Sequence, residues 1–256
     1  VDAEVRGVTV HFVGAGPGAA DLITLRAASL LAAADVVLYP GTYLDAEVLT
    51  HCAGARQVDT QSLDLDRITD VMVTAAAKGL EVVRLTSGDP SLYSALAEQT
   101  ARLDAAGVEW DVCPGVPAYA AAAAVVGREL TAPLVAQSVV LTRTQARSTA
   151  MPATESLAAF AATRATLVLH LAITRTRELA ASLVEEYGVD CPVVVVHRAS
   201  QPDELVLRGT LGDIADRVEE AGLRQAAVIL VGWALARDGG ESWLYTPDRH
   251  RQPPAG

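Results

Sequence analysis

The stretch Ser87-Gly88-Asp89-Pro90-Ser91-Leu92-Tyr93 follows an apolar run that includes Val82 and Val83 and leads into an alanine-rich amphipathic segment. Asp89 is a favoured N-cap type, Pro90 suits a first helical position, and Gly88 lets another group come close to the backbone. The pattern predicts a strand end feeding a helix over residues 90–106. A capped helix alone would account for these residues, with the Asp89 cap contributing about 1 kcal/mol. The functional alternative is a small molecule resting on the tight turn at the carboxyl end of a parallel strand, where open α/β sheets bind ligands.

A second glycine-rich turn, Gly14-Ala15-Gly16-Pro17-Gly18, follows the apolar run Val8 to Val13. Gly14-x-Gly16-x-x-Ala19 satisfies the dinucleotide fingerprint, which makes a nicotinamide cofactor a rival expectation. That fingerprint needs an acidic residue at the end of the second strand, and here the strand ends Tyr39-Pro40-Gly41. Asp35 precedes the strand, and Pro17 lacks an N–H where a pyrophosphate would seek one. The turn is therefore expected to abut a ligand without gripping a phosphate. No Walker lysine, His-Glu-x-x-His or Gly-x-Ser-x-Gly pattern occurs, and the histidines His11, His51, His170, His197 and His250 stand singly, so no metal site is expected. Arg143, Arg147, Arg175, Arg177 and Arg198 fall at or just after strand ends in the second half. Together they would make a positive rim suited to a polycarboxylate ligand.

The elements that must carry these residues follow from periodicity. With 256 residues, 51% of them hydrophobic, and alternating strand-like and helical segments, the chain is expected to fold as α/β. A net charge of -11 argues against nucleic acid as a partner. Cys52, Cys113 and Cys191 are widely spaced and odd in number, which points away from a disulfide framework and toward a cytoplasmic setting. No targeting pattern or bilayer-length apolar stretch is found, so no membrane association is expected. Strands are expected at 8–13, 36–39, 81–85 and 108–113, with helices at 22–34, 66–78, 90–106 and 118–126. The predicted domains are 1–128 and 138–237, joined by a linker at 129–137 and followed by a mobile tail at 238–256. Apolar runs near 139–141, 166–171, 192–196, 205–207 and 226–231, with helices at 175–186 and 212–221, predict a second sheet. The short gap around Ser200-Gln201-Pro202-Asp203 predicts a hairpin, so this sheet should be mixed.

Val13-Gly14-Ala15-Gly16-Pro17-Gly18 with Asp21-Leu22-Ile23-Thr24-Leu25, then Gly88-Asp89-Pro90-x-x-Tyr93, then Pro114-Gly115-Val116-Pro117-Ala118, resembles the tetrapyrrole methyltransferases that use S-adenosylmethionine. The resemblance extends over residues 8–236. Within the family, Glu129-Leu130-Thr131-x-Pro133, Gln137-Ser138-Val139-Val140-Leu141-Thr142-Arg143 and Gln201-Pro202-Asp203-Glu204 look like the branch that methylates carbon 11 of precorrin-4 in cobalamin biosynthesis. The resemblance implies two α/β domains, mostly parallel then mixed, with S-adenosylmethionine held in the cleft between them and released as S-adenosylhomocysteine. It implies a homodimer and a polycarboxylate tetrapyrrole substrate. The implied cofactor contacts are Pro17, Ser87, Gly88, Asp89, Leu92, Tyr93, Pro117 and Ala118, with Leu171, Ala172, Ala199 and Ala227 in the second domain. Tyr43, Arg143, Arg147 and Arg198 are the candidate substrate residues. Related uroporphyrinogen methylases carry an acidic residue after the tyrosine that ends the second strand; here that position is Pro40, so that base is not shared. Ala146 and Ala150 also depart from the pattern of the carbon-11 branch. The base that removes the ring proton is left open between Tyr43, the loop from Thr142 to Arg147, a substrate carboxylate and an ordered water.

Overall fold

A computed structural model of the chain describes residues 9–41, 44–144 and 150–236. The candidate substrate residues Tyr43 and Arg147 and the tail predicted at 238–256 lie outside them. The described residues divide into two compact units: the first runs to Ala122 and takes in Arg198–Glu204, and the second holds Ala123–His197 and resumes at Leu205. Among the described residues no helix is long and apolar enough to cross a membrane.

In the first unit the valine-rich runs pair as a parallel sheet of β1 (Thr9–Gly14), β2 (Val36–Tyr39), β3 (Arg56–Asp59), β4 (Val82–Thr86) and β5 (Glu109–Cys113), in the order β3-β2-β4-β1-β5. Parallel strands are covered on both faces, and alternate side chains serve the two layers. Val13, Val37, Val83 and Leu85 pack with Ala27 and Leu31 of α1 (Leu25–Ala33). Val10, Phe12, Val36, Leu38 and Val82 pack with Ile68 and Met72 of α2 (Leu65–Ala76) and Leu103 of α3 (Leu96–Ala105). Burial of a side chain the size of Phe12 or Leu31, both fully enclosed, stabilises by roughly 1.5–3 kcal/mol. Thr24 caps α1 through the Ala27 N–H at 3.1 Å, and Asp64 caps α2 through the Arg67 N–H at 2.8 Å. The helix α4 (Ala118–Val126) follows β5, and the division between the units falls within it.

Three details differ from the expectations. Arg56-Gln57-Val58-Asp59 forms an edge strand although it has no apolar run, because an edge strand bearing one half-buried valine needs none. Helix α1 begins at Leu25, after a 3-10 turn at Ala20–Leu22. Helix α3 begins at Leu96, six residues later than Asp89 and Pro90 suggested, because Tyr93 and Ala95 both adopt left-handed backbone with φ of 55°.

The second unit holds β6 (Val139–Arg143), β7 (Thr166–His170), β8 (Pro192–His197), β9 (Leu205–Thr210) and β10 (Ala227–Val231) in the order β6-β7-β10-β8-β9. Only β6 and β7 pair in parallel; the other neighbours are antiparallel, so the sheet is mixed. Strands β8 and β9 form the expected hairpin, with Pro192 opposite Thr210 and His197 opposite Leu205. Helices α5 (Leu157–Ala161), α6 (Thr176–Tyr187) and α7 (Ile214–Glu220) supply Ala161, Leu179, Leu183, Ile214 and Val218 to a core with Leu167, Leu169, Val193, Val195 and Ile229. The short α5 was not expected from the sequence. Residues 129–137 form a turn pinned by the Thr166 hydroxyl, which donates to the Leu130 carbonyl at 2.7 Å.

Candidate functional site

The turns that follow β1, β4 and β5 lie together because these three strands are neighbours, with β1 central. Ala15 N–H donates to Thr86 O at 2.8 Å, and Gly16 and Gly88 exchange both backbone bonds, at 3.1 and 2.7 Å. The third turn closes on the first two. A Cβ on Gly14 would lie 2.4 Å from Gly115 N and 2.7 Å from Gly88 O, and a Cβ on Gly115 would lie 2.3 Å from Gly88 O. Only glycine permits that approach, and Gly88 also needs its positive φ of 69°.

Asp89 ties this knot together instead of capping a helix. Its Oδ2 accepts the Gly115 N–H at 2.8 Å, and its Oδ1 accepts the Ser91 N–H at 2.8 Å and the Ser91 hydroxyl. Partial burial works against the charged form, but the Ser91 hydroxyl and the Gly115 and Ser91 N–H groups outweigh it and hold the carboxyl below the ordinary aspartate range.

Of the residues singled out from the sequence, Pro17, Ser87, Gly88, Asp89, Leu92, Tyr93 and Pro117 fall on these three turns, and Ala118 opens α4 directly after the third. Gly88 and Pro17 are buried, Ser87 is exposed, and Tyr93 is 47% exposed although its backbone is strained. Ala199 belongs to the same unit, on the segment Arg198–Glu204. Two residues beside it were missed in the sequence: Ser200 Oγ accepts the Ala19 N–H at 3.1 Å, and Gln201 Nε2 donates to Pro17 O at 3.2 Å. The quartet Gln201-Pro202-Asp203-Glu204 marked the place but not the contact.

In the second unit Leu171 and Ala172 follow β7, and Ala227 opens β10 opposite His197. Continuing the register from the Ile229–Leu169 pair sets Ala227 level with Leu171. Leu171 is 65% exposed with φ of 52°, an apolar side chain presented on strained backbone, the kind of outlier found at functional sites.

Of the five arginines expected to form a rim, Arg147 lies outside the described residues, and Arg175 and Arg177 meet carboxylates of their own unit. Arg175 pairs with Glu178, and Arg177 on α6 is held by Asp216 and Glu219 of α7, Glu219 Oε2 lying at 2.8 Å. Two carboxylates outweigh the one guanidinium, so Arg177 is part of a helix–helix ion cluster. Arg143 ends β6 opposite His170, whose imidazole pKa burial pushes down, and Arg198 pairs with Asp203 at 2.6 Å.

The turn cluster suits one kind of ligand. Residues 14–19, 86–93 and 113–118 contain no lysine or arginine and one carboxylate, Asp89, which stays ionised. That set offers no charge to a pyrophosphate and is compatible with a ligand that is cationic or zwitterionic. The dinucleotide alternative loses further ground, because ten residues separate Gly14 from α1, so the helix after the first glycine turn does not start on that turn. Asp35 is turned to the opposite edge, accepting the Glu81 N–H at 2.9 Å. Among the described residues no group of three or more His, Cys, Asp or Glu is placed to hold a metal ion.

Comparison with known proteins gives consistent results. Residues 9–215 match the family model described as tetrapyrrole (corrin/porphyrin) methylases. A precorrin-4 C(11)-methyltransferase from Rhodococcus erythropolis is 53% identical over 95% of this chain and 99% of its own length. The solved structure of a cobalt precorrin-4 methyltransferase of cobalamin biosynthesis superposes with a TM-score of 0.88 at 37% identity, covering 92% of this chain and 100% of the other. A uroporphyrin-III C-methyltransferase from Thermus thermophilus, solved in complex with S-adenosylhomocysteine, has a TM-score of 0.75 at 29% identity, over 89% of this chain and 93% of its own.

Proposed function

We infer, from the premise that the chain belongs to the tetrapyrrole methylase family, that it transfers a methyl group to carbon 11 of precorrin-4 in cobalamin biosynthesis. The observation that carries this reading is the 53% identity to a precorrin-4 C(11)-methyltransferase over nearly the full length of both chains. A cobalt-containing substrate is the second reading, favoured by the TM-score of 0.88 to a cobalt precorrin-4 methyltransferase. Its lower sequence identity of 37% places it second.

S-adenosylmethionine supplies the methyl group, activated on a sulfonium. The residues present fit it: a glycine cradle, one ionised carboxylate and no basic side chain on the turns. Pro17, Ser87, Gly88, Asp89, Leu92, Tyr93, Pro117, Ala118 and Ala199 hold the cofactor in the first unit, and Leu171, Ala172 and Ala227 are the further candidates that the family resemblance implies. Methyl transfer needs no nucleophile from the protein. It depends on holding donor and acceptor in line, an effect that supplies on the order of 7–11 kcal/mol. The rigid Gly14–Gly88–Gly115 knot is suited to that role, since its mutual contacts leave the Asp89 turn one position to occupy. Arg143 and Arg198 receive the carboxylates of the tetrapyrrole, with Tyr43 and Arg147 as further candidates. Three buried, unbridged cysteines accord with a reducing cytoplasm, and the family resemblance implies a homodimer.

The test is a turnover with precorrin-4 and methyl-labelled S-adenosylmethionine, read by NMR at the labelled ring carbon. Label at carbon 11 is expected; label elsewhere, or none with either metal-free or cobalt-bearing substrate, would overturn the reading. A parallel calorimetric titration with S-adenosylhomocysteine tests the site, because Gly88→Arg should abolish binding.

A further inference from the structure

Arg84 lies within β4, flanked in register by Phe12 of β1 and Leu38 of β2, and is only 8% exposed. Among the described residues no carboxylate pairs with it. Its Nε donates to Gln99 Oε1 at 3.1 Å and its Nη1 to Leu85 O at 2.9 Å. Burial lowers its pKa to about 10, so it remains charged at neutral pH. A buried charge without a counter-ion is costly, and an apolar residue of similar size would serve the core better.

What the guanidinium does is orient Gln99. An arginine can only donate, so the Gln99 carbonyl oxygen must face it and the amide nitrogen must point away. That nitrogen has two hydrogens, and it meets two acceptors, Ser94 O and Ala95 O, each at 3.0 Å. Gln99 is fully buried, and all of its polar capacity is directed by this arrangement. The two carbonyls flank Ala95 and follow Tyr93, the two residues held in left-handed backbone at the end of the Gly88 turn. Non-glycine residues leave that conformation unless surrounding bonds hold them there. The turn is thus fixed at its start by Asp89 on Gly115 and at its end by Gln99.

We propose that Arg84 and Gln99 are positioning residues for methyl transfer: Arg84 orients the Gln99 amide, which locks Ser94 and Ala95 and so fixes Tyr93 and the turn that holds the cofactor. The proposal rests on the reading that S-adenosylmethionine lies on this turn. The Arg84–Gln99 pair touches neither the cofactor nor the substrate and acts through the backbone.

The test uses Gln99→Met and the double variant Arg84→Met/Gln99→Met in the full chain, with thermal melting, S-adenosylhomocysteine calorimetry and hydrogen exchange of the free protein over residues 87–96. Gln99→Met alone strands the guanidinium and should lower both melting temperature and affinity. Adding Arg84→Met removes the stranded charge and should restore the melting temperature. Affinity should stay at least tenfold weakened, and residues 87–96 should exchange at least tenfold faster. Wild-type affinity and wild-type exchange in the double variant would overturn the proposal. Faster exchange with unchanged affinity would uphold the positioning of the turn and overturn the placement of the cofactor on it. If the double variant does not fold, the wild-type protein decides. S-adenosylhomocysteine should then slow exchange in residues 87–96 and in the first turn of α3 together, and protection of the turn without α3 would overturn the link.

Discussion

The two edges of the parallel sheet are built from opposite materials. At its carboxyl edge Gly14, Gly88 and Gly115 bring backbone against backbone, and Asp89 is joined to N–H and hydroxyl groups. Toward its amino edge the side chains carry the contacts: His11 Nδ1 lies 2.6 Å from Asp111 Oδ1, His11 Nε2 lies 3.4 Å from Glu81 Oε2, and Asp35 accepts the Glu81 N–H. Backbone contacts tolerate no added atom and define positions closely. Side-chain contacts whose carboxylates reach water tolerate substitution and contribute little each. The proposed cofactor site at one edge and the charge display at the other accord with that difference.

Substitution at the carboxyl edge should have the largest effect. Gly115→Ala forces a methyl group to within 2.3 Å of Gly88 O, and the neighbours are backbone atoms that cannot rotate away. A loss of about 3 kcal/mol is expected in urea denaturation, together with loss of S-adenosylhomocysteine binding. Normal stability and binding in this variant would mean that the knot is looser than the contacts imply.

Asp89→Asn comes next. It keeps one acceptor but loses the charge that the Gly115 and Ser91 donors stabilise, and roughly 1–2 kcal/mol should follow. The pH dependence has a definite sign. The folded pKa of Asp89 is depressed, so its contribution is present above the unfolded aspartate value and is lost as pH falls through the lower folded value. Stability curves of wild type and Asp89→Asn should therefore differ by a constant amount at neutral pH and converge in acid. A gap that persisted at the lowest pH would remove the carboxylate as its cause. Gln201→Ala should cost less, about 0.5–1 kcal/mol, through the single neutral bond to Pro17 O. Several-fold weaker S-adenosylhomocysteine binding should accompany it, and an unchanged titration would separate Pro17 from the site.

What could be read in advance divides along chemical lines. The glycine turns were legible because Gly14, Gly16, Gly88 and Gly115, with their prolines, punctuate apolar runs at strand ends. The pairing of β8 with β9 was legible from the short polar gap between two apolar segments. The late start of α3 was not, because Tyr93 and Ala95 in left-handed backbone obey no propensity, and the Gln99 bonds to Ser94 O and Ala95 O come from within the helix. Arg84 was hidden inside an apolar run, and Ser200 meets Ala19 across 181 residues of sequence. Local chemistry announces turns; the bonds that hold them come from distant residues. The engagement of Arg177 was hidden for a related reason, since strand-end position in the sequence gives no notice of Asp216 and Glu219 on a neighbouring helix.

The smallest effect should come from the amino edge, and its smallness is the informative part. Asp111→Asn removes the nearer carboxylate from His11 but leaves Glu81 at 3.4 Å, and the Asp111 side chain is 58% exposed. A change of a few tenths of a kcal/mol is expected, because the Asp111 end of the contact is open to water and its charge is screened there. Affinity for S-adenosylhomocysteine should not change, because no glycine contact or Asp89 bond passes through this edge. The strand links the two edges directly, since Asp111 precedes Cys113 and Gly115 by two and four residues. If loosening β5 at Asp111 nevertheless weakened binding, the knot would depend on the side-chain contacts that anchor its strand, and the two edges would form one device.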